Sequence, residues 1–185
     1  MGAQTYLIAL GSNRRSRFGS QERLLALLMA GDSPLRISAS PRETDPSFFT
    51  RRRGEAEEEK RLIALSRVVS SSPLGPGKRR YANAVALIES DLAPPALLAL
   101  FKSIERAHGR RPGRRWGDRV LDLDIIGWSG GIWATRTLSI PHPAFRERRF
   151  VLAPLVEVAP DWRDPVTNLA ARHLLARLDR RRPRS

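Results

Sequence analysis

Apolar positions recur along this chain in two rhythms, short continuous runs and helical stripes. Tyr6-Leu7-Ile8-Ala9-Leu10 is a continuous run closed by Gly11-Ser12-Asn13, which predicts a buried first strand ending in a turn. Residues 21–30 space Leu24, Leu25, Leu27 and Leu28 at helical intervals, predicting a first helix. Periodicity then disappears across residues 31–60, which are rich in Ser, Pro and Arg and turn acidic at Glu55-Ala56-Glu57-Glu58-Glu59. That composition reads as a flexible, solvated insertion rather than an interaction tail. "LIALSRVV" at 62–69 predicts a second strand, and "YANAVALI" at 81–88 a third, with Tyr81 and Asn83 on one face because strand side chains alternate. Leu92-Ala93-Pro94-Pro95 opens a helix, since proline is tolerated in a first turn. Leu97, Leu98, Leu100, Phe101 and Ile104 form its stripe, and Gly109 is its stop. Residues 120–128 predict a fourth strand. Beyond Leu138 the pattern predicts a short strand, helical turns over 150–158 and a final helix near 168–178.

The order strand, helix, insertion, strand, strand, helix, strand predicts an α+β protein. Its plan is a ferredoxin-like βαββαβ core with a C-terminal extension of a short strand and helices. The 185 residues fit one domain, 1–185, large enough to bury a core without covalent staples.

Composition narrows the chemistry. There is no cysteine, which excludes disulfides and thiolate metal sites. No apolar run approaches the roughly 20 residues that span a bilayer, and the opening lacks a secretory leader, so a cytoplasmic protein is expected. The formal net charge of +14 implies an anionic partner: nucleic acid, a membrane surface or a phosphorylated small molecule. The arginines gather at 51–53, 110–119, 146–149 and 177–184; the last group, about 179–185, reads as a frayed, solvated end.

Against that background, "RWGDRVLDLDII" at 115–126 places two carboxylates in an apolar strand. Asp122 and Asp124 are two apart and share a face, while Leu121, Leu123 and Ile125 face the other way. Same-face neighbours lie about 6–7 Å apart, which suits paired divalent ions at about 3.5–4 Å. An all-oxygen donor set favours magnesium over zinc. A solvated face salt-bridged to arginine is the competing reading. Arg110, Arg111, Arg114, Arg115 and Arg119 precede the strand in a loop containing Gly113 and Gly117. Guanidinium forks match phosphate oxygens, so loop and carboxylates together point to transfer of a phosphorylated group. Pro141-His142-Pro143 with Arg146 and Arg148 adds a third basic set, its histidine fixed between prolines. His108 reads as a positive end on a helix dipole and His173 as a helix-surface residue. "PLGPGK" lacks the spacing of a phosphate-binding loop. The alternative, a basic ferredoxin-like module that binds nucleic acid, lacks any aromatic RNA-binding strand, helix-turn-helix or zinc pattern.

"LIALGSN", "PLG…YANAVALIE", "IERAHGR", "RWGDRVLDLDII" and "IPHPAFRERRFVLAPLVEVAP" together resemble the 6-hydroxymethyl-7,8-dihydropterin pyrophosphokinase family of folate biosynthesis, in its order and near its spacing. The resemblance covers most of the chain outside residues 31–60. It implies transfer of pyrophosphate from ATP to the pterin's hydroxymethyl oxygen, giving AMP, by a cytoplasmic, monomeric transferase with no membrane or nucleic-acid partner. It further implies that Asp122 and Asp124 hold two magnesium ions, and that Arg110 and Arg119 join them as catalytic residues. Ser71, Leu74, Tyr81, Asn83, Trp116 and Phe150 would bind the pterin. Glu105, Arg110, Arg119, Ile125, Ser139, His142 and Arg148 would bind ATP. Three departures stand out: the long 31–60 insertion, which would impair the enzyme if it packed over the pterin pocket; a slightly short arginine loop, which leaves individual phosphates unassigned; and Pro143 where some relatives carry an aromatic residue.

Overall fold

The computed structural model describes residues 3–13, 60–73, 79–108 and 120–181. The predicted helix at 21–30 and nearly all of the 31–60 insertion lie outside them. So do Leu74, Trp116, the arginines from Arg110 to Arg119, and the last four residues.

Five strands form one antiparallel sheet: β1 (Gln4–Ser12), β2 (Lys60–Leu65), β3 (Val69–Ser71), β4 (Tyr81–Ser90) and β5 (Asp122–Trp128). Their order is β2-β4-β1-β5, with β3 also paired to β4. Alternation along β1 sets the two layers. Tyr6, Ile8 and Leu10 face one core, and Leu7 faces the other. Against the first face packs α1 (Pro94–Ala107), whose buried Leu97, Phe101 and Ile104 recur at helical spacing, as expected. Against the second face lie α2 (Arg149–Val158) and α3 (Ala171–Arg180), through Val151, Leu152, Leu155 and Leu174. A two-stranded hairpin, β6 (Trp133–Ala134) with β7 (Ser139–Ile140), leads into a 3-10 turn at Phe145–Glu147. Among the described residues no helix is long and apolar enough to cross a membrane.

The structure departs from the sequence expectations in four places. The run at 62–69 is not one strand, because Ser66 breaks it. Its N–H donates to the Val85 carbonyl, and its hydroxyl accepts from the Val85 N–H, each at 2.9 Å. Arg67 then leaves the ladder, giving its own N–H to Glu157 on α2. Gly11 and Ser12 do not close β1 as a turn but stay inside its pairing with β4 and β5. Trp133–Ala134 adds a strand that no apolar rhythm announced. Finally, the last helix runs on through Arg180, beyond the expected end near 178, and Asp179 pairs with Arg149 at 2.8 Å.

Candidate active site

The end of β1 and the starts of β4 and β5 meet at one edge of the sheet, because the strands are antiparallel. Register places Asn83, Gly11 and Asp122 in one row across three strands, with Val69 beyond Asn83. Directly opposed residues point to the same side. The next row holds Ala9 opposite Asp124. Asp122 and Asp124 therefore do share a face, half-exposed, while Leu121, Leu123 and Ile125 are buried toward α1. Gly11 leaves a gap between its neighbours. A Cβ there would sit 3.7 Å from Asn83 Oδ1 and 3.9 Å from the Asp122 Cβ.

Asn83 is held by what surrounds its amide nitrogen. Nδ2 donates to the Ser71 hydroxyl at 3.0 Å, and carbonyl oxygens of Tyr81 and Val69 lie at 3.3 and 3.5 Å. Carbonyls only accept, so the nitrogen must face them and Oδ1 is turned toward the gap over Gly11. Tyr81 is half-buried and pairs with Ser71 in the β3–β4 ladder.

Across the face lies the turn carrying His142 and Arg148. The His142 N–H donates to the Ile126 carbonyl at 3.0 Å, fixing this segment to β5. Its Nδ1 accepts from the Ala144 N–H at 3.2 Å, so a neutral ring carries its proton on Nε2. Burial pushes the His142 imidazole down; Arg148 adds to this and the two aspartates oppose it. Burial pushes the Asp124 carboxyl up, and the Asp122 charge raises it further against the pull of His142, Lys102 and Arg148. A buried carboxylate repelled by its neighbour is stabilised by a bound cation, and an oxygen-only pair suits a hard one. The two residues thus fit a divalent metal. Among the described residues no group of three or more His, Cys, Asp or Glu gathers for one.

The structure sorts the remaining expected residues. Phe150 is half-buried beside the α2-side core. Ser139 is exposed on the hairpin, and the Ile125 side chain is 3% exposed in the α1-side core, facing away from Asp124. Glu105 is buried on the α1 side of the sheet. Its carboxylate accepts from the Leu123 N–H at 2.9 Å and pairs with Lys102 Nζ at 2.9 Å. Its visible work is to brace β5 from beneath Asp122 and Asp124. His108 caps α1 with Nδ1 on the Ile104 carbonyl at 2.8 Å, and His173 is exposed. Arg146 leaves the basic set altogether, because it is forked to Asp164. Sequence reasoning missed Asp164, Lys102 and the role of Gly11. The glycine alone carried a signal, lying between an apolar run and two polar residues.

Residues 7–160 match the family described as 7,8-dihydro-6-hydroxymethylpterin-pyrophosphokinase. A 2-amino-4-hydroxy-6-hydroxymethyldihydropteridine pyrophosphokinase of Pseudomonas aeruginosa is 43% identical over 108 residues, 58% of this chain and 67% of the relative. The enzyme of the same name from Haemophilus influenzae is 45% identical over 101 residues, 54% of this chain and 63% of the relative. In fold, the chain is similar to a Plasmodium falciparum HPPK-DHPS crystallised with pteroate, at a TM-score of 0.63 and 14% identity, over 95% of this chain and 42% of that one. These matches favour the enzyme over a nucleic-acid-binding module. On the extent of the match and the order of the motifs, the chain belongs to the 7,8-dihydro-6-hydroxymethylpterin-pyrophosphokinase family.

Proposed function

We propose that this chain transfers pyrophosphate from ATP to 6-hydroxymethyl-7,8-dihydropterin in folate synthesis, yielding AMP and the pterin diphosphate. The hydroxymethyl oxygen bonds to the β-phosphorus and gives up its proton to solvent, and the bond from that phosphorus to the α,β-bridging oxygen breaks, releasing AMP. The observation that carries this reading is the row Asn83–Gly11–Asp122 with Asp124 beside it. A flat ring can lie on a methyl-free floor there, its polar edge toward Asn83 Oδ1 and its reactive arm toward the carboxylates.

Each residue then has a role. Asn83 accepts from the ring's N–H groups, oriented by Ser71. Tyr81, Phe150, Trp116 and Leu74 line the ring, the aromatics by shape. Asp122 and Asp124 hold two magnesium ions, which offset the roughly four negative charges of ATP. His142, through Nε2–H, and Arg148 donate to phosphate oxygens, joined by Arg110 and Arg119. Ser139 and the main chain at Ile125 contact the nucleotide, and Glu105 keeps β5 in place under it. Little covalent chemistry is asked of the protein. Positioning two bound reactants in line and neutralising phosphate charge supply the acceleration. The β2-β4-β1-β5 order supports a ferredoxin-like core. The chain acts as a single-domain, cytoplasmic monomer.

Purified protein with ATP, magnesium and the hydroxymethyl dihydropterin will form AMP, dependent on all three. Asp124→Ala will lose turnover by several orders of magnitude while pterin binding, measured by calorimetry, survives. Near-normal turnover in that variant would overturn the metal assignment.

A further inference from the structure

Four basic residue types follow one another in the segment facing the carboxylates: His142, Arg146, Arg148 and Arg149. By composition alone they form one basic cluster. In the fold they do not. Arg149 turns outward to Asp179 on α3. Arg148, at the N-terminus of α2, is, among the described residues, the arginine whose charge reaches Asp124 and His142. Arg146 lies between these two phosphate-facing residues in chain order and is anchored elsewhere.

Its anchor is Asp164, whose side chain is fully buried. Arg146 Nε and Nη2 meet Asp164 Oδ2 and Oδ1 at 2.7 and 2.5 Å, a bidentate fork. The same carboxylate accepts from the Thr167 hydroxyl at 2.5 Å and the Val166 N–H at 3.2 Å, so both oxygens are doubly occupied. The Asp164 main chain is also tied, its N–H to the Leu169 carbonyl and its carbonyl to the Asn168 N–H. The strap at 162–170 is in turn keyed to β5. The Trp162 ring fills the space a side chain at Gly127 would need, since a Cβ there would lie 2.6 Å from Trp162 Cζ2. Phe145 stands edge-on to Trp162 with centroids 5.9 Å apart, and the Arg146 guanidinium covers the Phe145 ring at 4.7 Å. One residue before Gly127, the Ile126 carbonyl takes the His142 N–H.

We infer that Asp164, acting through Arg146, is a positioning residue for ATP, holding the turn whose two ends present His142 and Arg148 to the phosphates. The turn is thus fixed to β5 twice, by main chain at Ile126 and by side chain through the strap. Asp164 also neutralises Arg146, so that arginine does not compete with Arg148 for a phosphate. This rests on the function proposed above.

The test is steady-state AMP formation, varying ATP and pterin separately, for the intact chain and its D164N, R146Q and R146K forms, with melting temperatures alongside. D164N and R146Q are expected to raise the KM for ATP by five- to fiftyfold, leaving the KM for pterin within twofold, because the polar and floor contacts proposed for the pterin, Ser71, Asn83 and Gly11, lie on β1, β3 and β4, away from the turn. R146K keeps the charge without the fork and will shift less. The double variant D164N/R146Q will be no worse than the weaker single one. An unchanged KM for ATP in D164N, or equal changes in both KM values, overturns the inference; if D164N does not fold, the same readings on R146K decide it. An intact chain that forms no AMP overturns the functional reading instead.

Discussion

Gly11→Ala separates space in the site from stability of the fold. The added methyl would stand 3.7 Å from Asn83 Oδ1 and 3.9 Å from the Asp122 Cβ, both ordinary contact distances, so nothing in the sheet must move. Gly11 is also free of the left-handed backbone that penalises a side chain; among the described glycines that conformation belongs to Gly131. At such a position Gly→Ala removes unfolded-state entropy and stabilises by about 0.4–1 kcal/mol. For a chain of this size that is about 1–4 °C in Tm. Binding moves the other way. The methyl projects from the floor on which the pterin ring would rest, and forcing an extra methyl into a packed contact costs about 1–3 kcal/mol. At 1.4 kcal/mol per factor of ten, the KM for pterin rises by roughly 5- to 150-fold.

Scanning calorimetry and AMP assays on the same preparation read both quantities. The expected result is a Tm equal to or above that of the parent together with a raised KM for pterin. A variant with KM and turnover within twofold of the parent would show that no ligand lies over Gly11. A Tm lowered by several degrees would show that the gap is not the open space its neighbours imply.

Two further perturbations test the supports of the site. Glu105→Ala strands the Leu123 N–H and frees Lys102, and leaving a buried donor unpaired costs about 1–3 kcal/mol. A urea midpoint unchanged from the parent would refute this, and Glu105→Gln, which keeps an acceptor, will lose less. The second concerns acid stability. Burial pushes the Asp164 carboxyl up, but hydrogen bonds from Arg146, Thr167 and Val166, with the Arg146 charge, outweigh it and hold the carboxyl below the usual range. A folded pKa below the unfolded value of about 3.9 means stability that is fully present above that pH and lost as pH falls through the folded value. The Tm gap between the parent and Asp164→Asn will therefore be widest near neutrality and shrink below about pH 4; a constant gap from pH 7 to pH 3 would refute it.

Much of this was readable from local pattern. β1, β4, α1 and β5 carry their periods plainly, and Asp122 and Asp124 were identified because two charges interrupt an apolar alternation. What was not readable depends on partners distant in sequence. Ser66 looks like any residue of a strand until Val85 comes alongside and bonds both its N–H and its hydroxyl oxygen. Arg146 looks like Arg148 until Asp164, eighteen residues on, neutralises it. Glu105 lies in a motif that resembles a nucleotide site, yet alternation of β5 puts its carboxylate under Leu123 rather than beside Asp124. Gly11 has the local signature of a turn. Only the pairing of three strands turns it into a floor.

The question of why so basic a chain places two half-exposed carboxylates at a sheet edge has an answer in how its other acids are used. Glu89, Glu157, Asp164, Asp179 and Asp161 each take an arginine: Arg61, Arg67, Arg146, Arg149 and Arg172. These pairs withdraw positive charge from the surface in fixed places and cross-link strands, helices and loops. Asp124 has instead a buried carboxyl raised by Asp122, facing His142 and Arg148. The site is thereby divided. Its strand half, Asn83, Gly11, Asp122 and Asp124, is rigid through sheet pairing, whereas its loop half, His142 and Arg148, is rigid through Ile126, Trp162 and Asp164. Nothing in the first half requires the second to be in place. A chain built this way should lose ATP and pterin affinity separately: changes along β1, β3 and β4 act on the pterin, changes in the 162–170 strap act on ATP, and substitutions on β5, which both halves share, or at Phe150, next to the Arg148 turn, act on the two together.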